Sequence, residues 1–152
     1  MNKFLLVLGW SVAFAMILAA CGSADTSTTD SVTVLEDYYA ALTAGDLEKA
    51  MSFVVDDAIF IDPMSKHVGI AEIRAGYAAQ MNIGGKWEAT NIKDTNGKGR
   101  LVYDCKAFIN DVPVYTGTGL TVVQNGKITF DGTEFYWKGE CEREPSQSFC
   151  AD

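Results

Sequence analysis

Four cysteines and one histidine are the residues of this 152-residue chain best suited to covalent or metal chemistry. Cys21, Cys105, Cys141 and Cys150 show none of the short paired spacings of zinc sites, and His67 stands alone, so no metal centre and no cofactor are expected. The thiols are left with acylation, a disulfide or burial. Two carboxylates stand out beside them. Asp62 closes the apolar run Ala58–Ile61 and is followed by Pro63, and Asp131 interrupts the last strand in one row with Thr129, Thr133, Phe135 and Trp137. A carboxyl group kept from water exchanges a proton near neutral pH, which is the requirement for general acid–base work. Asp62 has a plainer alternative, because an aspartate at such a turn commonly accepts local backbone hydrogen bonds. His67, in the loop Met64-Ser65-Lys66-His67, could gate a cavity, relay a proton or simply face solvent.

The elements that must position these groups follow a segment outside the fold. Residues 1–20 hold one charge, Lys3, and then an uncharged apolar run that ends in Leu18-Ala19-Ala20-Cys21-Gly22. That is the layout of a secretion signal. The small residues before the cysteine resemble a lipobox, whose thiol receives a diacylglyceryl group before the signal is cut away. An uncleaved spanning helix is the alternative, since the run is nearly long enough to cross a bilayer, but such a helix has no need of small residues before a cysteine. Residues 1–20 are therefore expected to be a cleaved signal peptide and Cys21 the lipidated N-terminus of a bacterial lipoprotein. It would be membrane-anchored in the cell envelope, at the outer membrane if the host has two. With Cys21 committed to lipid, three cysteines remain in an oxidising compartment and cannot all pair. Cys141 and Cys150 flank a short polar stretch that closes easily, so they are the expected disulfide, with Cys105 a buried free thiol.

Cleavage removes Lys3 and no acid, leaving 11 basic and 20 acidic residues and a net charge of −9. Nucleic acid is an unsuitable partner for such a surface. The 132 residues from Cys21 suit one domain. Residues 21–30 are the lipidated cysteine and a small, polar, flexible tether. Asp30 then caps a helix over about 31–43, whose apolar positions Val34, Leu35, Tyr38, Tyr39 and Leu42 recur at three and four residues, and Gly45 ends it. Asp46 caps a short second helix. A strand over 58–62 and a loop from Met64 to Gly69 lead to a third helix over 70–81. Four strands follow, 87–94, 100–109, 114–123 and 127–137, joined at Asn96-Gly97, Asn110-Asp111 and Asn125-Gly126. Helices followed by an antiparallel meander predict an α+β domain over 31–138, with a disulfide-pinned tail over 139–152.

Tyr38 through Leu47, Asp56-Asp57-Ala58, Asp62-Pro63 and Gly69 through Arg74 resemble the opening half of the nuclear transport factor 2-like superfamily, above all SnoaL-like proteins and ketosteroid isomerases. The resemblance implies a cystatin-like cone, a curved sheet wrapped around the N-terminal helices, with an apolar cavity between them. It implies a cavity row of Tyr103, Cys105, Leu120, Thr133, Phe135 and Trp137. Carried over from ketosteroid isomerase, Tyr38 falls at the tyrosine that donates to the substrate oxygen and Asp62 at the general base. The third partner, a protonated acid, falls at Leu120, or at Gly119 if the register slips by one, and neither side chain donates. Losing such a donor costs about 2.7–4 kcal/mol of transition-state stabilisation. The same row turns Asp131 toward the cavity, where repulsion between Asp62 and Asp131 would raise the pKa of one of them.

The leading expectation is a lipid-anchored pocket protein that takes a small apolar or amphipathic ligand. The first alternative is a proton-transfer isomerase or cyclase working through Asp62, Tyr38 and Asp131. The second is a non-catalytic module that dimerises, as a homodimer, or docks proteins through its sheet. Tyr38, like the aromatic residues Trp87, Tyr103, Tyr115, Phe135 and Trp137, could equally be core.

Overall fold

The computed structural model describes residues 30–63 and 65–150; the proposed signal peptide, Cys21 and most of the tether lie outside the described residues. Helix α1 spans Ser31–Thr43. Asp30 accepts a hydrogen bond from the Val32 amide at its start. At its end Gly45, with φ +75°, lets the amides of Gly45 and Asp46 bond back to the carbonyls of Leu42 and Ala41, a paired C-terminal cap. Asp46 at once caps α2, Leu47–Met51, through the Lys49 amide. The remaining elements are β1 Val54–Ile61, β2 Lys66–Val68, α3 Ile70–Asn82, β3 Gly85–Asp94, β4 Arg100–Ile109, β5 Val112–Gln124, β6 Lys127–Thr133 and α4 Glu134–Arg143, then a short 3-10 turn at Ser148–Cys150.

The strands form one six-stranded sheet in the order β2-β1-β6-β5-β4-β3. Every neighbouring pair is antiparallel except β1 and β6, which run parallel with Phe60 opposite Asp131. The sheet is therefore mixed. Two tight hairpins carry positive φ at both central residues, Asn110 with Asp111 and Asn125 with Gly126, matching the twist of the strands they join. The loop expected over Met64 to Gly69 contains β2, which pairs with the end of β1.

Alternation along the strands divides the core. Leu101, Tyr103 and Cys105 of β4 face α1, in one cluster with Leu35, Tyr38 and Phe60. Ile61, Leu120 and Phe130 face the other way and pack with Phe149, whose ring stacks on Phe130 at 3.9 Å between centroids. The last strand corrects the sequence reading. It stops at Thr133, and Glu134–Arg143 coil into α4, where the Glu134–Lys138 and Glu140–Arg143 pairs have the spacing of a helix surface. Cys141 and Cys150 are disulfide-bonded, which folds the chain end back over the outer face. Arg100 reaches the same region, donating to the Phe149 carbonyl at 2.7 Å with its guanidinium over the Trp137 ring.

Candidate functional site

A cavity of about 530 Å³ lies between the inner face of the sheet and helices α1 and α3. Its walls are aromatic because successive elements turn the same kind of residue inward: Tyr39 from α1, Phe60 from β1, Tyr77 from α3, Trp87 from β3, Tyr103 from β4 and Tyr115 from β5. Tyr77 meets Trp87 edge-on at 5.0 Å between centroids, and Tyr39 meets Tyr103 at 5.6 Å. Ile83 and Val114, both more than half exposed, line the cavity from β3's approach and from the start of β5.

On this apolar wall sits one carboxyl group that is 6% exposed, Asp131 of β6. The pairing of β5 with β6 sets Thr121 opposite it, and Thr121 Oγ1 donates to Asp131 Oδ1 at 2.6 Å. Tyr103 donates to the same oxygen at 2.5 Å, and the Tyr39 hydroxyl is 3.0 Å from that of Tyr103. Burial pushes the Asp131 carboxyl up to about 6 from an ordinary 3.8, while the hydrogen bonds of Thr121 and Tyr103 hold it down. Burial, with Asp131 adding to it, also keeps Tyr39 and Tyr103 far above the ordinary tyrosine value, so both are protonated hydroxyls. Cys105 lines the same wall as a free buried thiol, pushed up to about 12 chiefly by burial, and is no nucleophile at neutral pH.

Asp62 lies at a second polar corner of the cavity, where it organises its own turn. Its Oδ1 accepts the Ser65 amide at 2.9 Å, and its Oδ2 is 3.3 Å from Gln80 Nε2 and 3.5 Å from His67 Nε2. His67 is packed rather than solvated: it belongs to β2, lines the cavity, and leans on Gly76 of α3, where an added Cβ would lie 2.8 Å from the ring. Ser65 Oγ is 2.7 Å from His67 Nε2, the same nitrogen that faces Asp62. A nucleophilic triad sets the acid on the opposite ring nitrogen, so this cluster is not one.

Several expected site residues stand elsewhere. Tyr38 is fully buried between Tyr39, Phe60 and Tyr77, does not line the cavity, and its hydroxyl makes no hydrogen bond of normal geometry. Leu120 faces the outer cluster, since its neighbours Gly119 and Thr121 take the inward positions. Gly119 has no side chain because Tyr103 occupies that space; a Cβ there would lie 2.3 Å from the ring. Phe135 and Trp137 lie on α4 instead of a strand: Phe135 is 78% exposed and Trp137 packs against the outer cluster. Burial is the largest cause of the raised Asp131 value, where repulsion from Asp62 was expected. Tyr103, Cys105, Thr133, Asp62 and Asp131 do line the cavity.

Tyr39 and Thr121 are the members that the sequence reading left out of the site. The i to i+1 neighbour of Tyr38 looks like one more core position, and Thr121 becomes significant only once its cross-strand partner is known.

Residues 35–140 match the family described as the SnoaL-like domain. Among curated proteins, none matches the sequence. Solved structures share the fold at low identity. A nuclear transport factor 2-like protein of unknown function from Cytophaga hutchinsonii has a TM-score of 0.60 at 13% identity, over 68% of this chain and 88% of that one. A protein of unknown function with a cystatin-like fold from Methylobium petroleophilum has a TM-score of 0.61 at 15% identity, over 68% and 74%. An LEH-like epoxide hydrolase from M. tuberculosis has a TM-score of 0.58 at 19% identity, over 79% and 99%.

Proposed function

Because the chain belongs to the SnoaL-like domain family, we propose that its task is to hold a small apolar or amphipathic molecule in the cavity beside Asp131, from a lipid anchor on Cys21 in the cell envelope. One observation carries the binding reading: about 530 Å³ of space, walled by aromatic rings, reaches a single buried carboxyl group. The anchor rests on the sequence Leu18-Ala19-Ala20-Cys21 behind an apolar run. Native mass spectrometry of the protein purified from its own host tests the pocket. A small-molecule adduct that is released on denaturation, and is missing when Ala107→Phe fills the lining, is the expected result. Adduct-free wild-type protein contradicts it. Radiolabelled glycerol incorporated into the wild type and not into Cys21→Ala is the expected signature of the anchor.

A second reading, a proton-transfer isomerase or cyclase, is favoured by the proton affinity of Asp131 at about 6. It sets the acid–base role on Asp131 rather than on Asp62 and Tyr38. Against it, the Tyr103 and Thr121 hydroxyl protons are both given to Asp131 Oδ1 and are unavailable to a developing enolate. Exchange of a ligand C–H in heavy water, catalysed by wild type and not by Asp131→Asn, would establish this reading over simple binding.

A further inference from the structure

The direction of the hydrogen bonds around Asp131 constrains what the cavity accepts. Tyr103 and Thr121 each give their single hydroxyl proton to Asp131 Oδ1. With its proton spent, Tyr103 can meet Tyr39 only as an acceptor, so Tyr39 must donate across the 3.0 Å between them. Three protons therefore run toward the carboxylate, and the unused capacity of the network is acceptor capacity. A carbonyl or carboxylate guest would find no free donor among these three hydroxyls, whereas a guest bearing N–H or O–H groups would find acceptors; the buried Thr133 hydroxyl of the lining, outside this network, is a separate donor.

Charge narrows the choice further. Among the described residues no lysine, arginine or histidine forms an ion pair with Asp131; its partners are neutral hydroxyls. A carboxylate buried to this degree without a countercharge is costly unless a cation is supplied. The two basic side chains of the described lining are placed otherwise. His67 is held at the Asp62 corner, and Lys106 is an exposed residue of the lining. Seven aromatic residues, Phe108 among them, line the same space, and the negative face of an aromatic ring attracts an organic cation.

We propose that the ligand is a hydrophobic amine, with its ammonium group set against Asp131 among the rings of Tyr39, Tyr77 and Tyr103 and its apolar body lying along Ile83, Ala107 and Val114. The inference rests on the small-molecule pocket reading and gives it a chemical class. The amine supplies the missing countercharge and donates to the free acceptors, while the aromatic walls bury its hydrocarbon. Binding is also coupled to protons. The groups facing Asp131 are Tyr38 and Tyr39 from α1, Tyr77 from α3, and Tyr103 and Cys105 from β4. All are held protonated by burial, so between pH 5 and 8 Asp131 is the one among them that changes charge. Asp62, His67 and Lys106 complete the charged lining.

Calorimetric titration of the full-length protein with n-octylamine, 1-octanol and octanoate decides it. At pH 7.5 octylamine is expected to bind at least tenfold more tightly than octanol, with octanoate weakest. Between pH 7.5 and 5.0 the amine affinity should fall about tenfold as Asp131 takes up its proton, with octanol unchanged. In Asp131→Asn, checked for folding by circular dichroism, amine and alcohol should bind within about threefold of each other. Octanol or octanoate matching octylamine in the wild type, or an amine preference that survives in the variant, overturns the amine assignment while leaving a pocket. Binding of none of the three overturns the pocket reading as well. If the variant fails to fold, the wild-type ranking and its pH dependence still support or overturn the assignment by themselves.

Discussion

Asp131 should leave a thermodynamic trace that needs no ligand. Its ordinary pKa is 3.8, and burial in the folded protein pushes it up to about 6. The folded state thus holds the proton more tightly than the unfolded chain. Between these two values the native protein is protonated at this site and the unfolded chain is not, so stability falls as pH rises. The contribution is fully present below pH 3.8, is lost on the way up to about 6, and is flat above that. At about 1.4 kcal/mol for each tenfold change in proton affinity, the difference amounts to about 3 kcal/mol. Other carboxylates run the opposite way; Glu140, held below its ordinary value chiefly by the hydrogen bond from Lys66, loses stabilisation as pH falls. Their effect cancels when wild type is compared with Asp131→Asn, which keeps an oxygen for Tyr103 and Thr121. Urea unfolding of both proteins from pH 4 to 7.5 should show the stability of the wild type relative to the variant falling by about 2.5 kcal/mol, the part of that difference lying above pH 4, with most of the fall below pH 6. A constant difference, or one that grows with pH, refutes the assignment of a raised proton affinity to this residue.

Tyr103→Phe removes one of the two side-chain donors to Asp131 Oδ1, so the Asp131 carboxyl should titrate at higher pH in carbon NMR and the protein should lose about 1.5–3 kcal/mol in urea unfolding. Gly119→Ala drives a methyl group to within 2.3 Å of the Tyr103 ring and should cost about 1–3 kcal/mol, with the same upward movement of Asp131 as its hydrogen bond is disturbed. Cys141→Ser with Cys150→Ser opens a loop with a sequence separation of 9 and should lower stability by about 2.5 kcal/mol, read as a reduced urea midpoint. Phe135→Ser, at a position 78% exposed, should leave stability within about 0.5 kcal/mol and leave ligand retention unchanged.

The α+β fold was legible because its punctuation is local. Asp30, Gly45 and Asp46 each act within a few residues of themselves, and the Asn-Gly and Asn-Asp dipeptides supply positive φ wherever they stand. Tyr103 and Cys105, two apart on β4, share a face by strand alternation, and both line the cavity. Alternation failed at Phe135 and Trp137, because two aromatics spaced by two read as a strand while the Glu134–Lys138 pair that marks a helix is equally present. Tyr38 and Tyr39 show the limit most clearly. Both lie on the inner face of α1, and a rotation of one residue decides which reaches the cavity and which fills the core. The parallel pairing of β1 with β6 was invisible for another reason: nothing near either strand encodes a partner so distant along the chain.

That pairing also bears on the order in which the molecule is assembled. Strand β6 is the last of the sheet to leave the ribosome, and it lies between β5 and β1. The three hydroxyls that enclose Asp131 come from α1, β4 and β5, all made earlier. Until β6 slots into its gap, the carboxyl group stays in water and titrates as an ordinary aspartate. Its proton affinity is thus an internal reporter of sheet closure, a single-residue signal that separates a chain with all but its last strand in place from one that has finished folding.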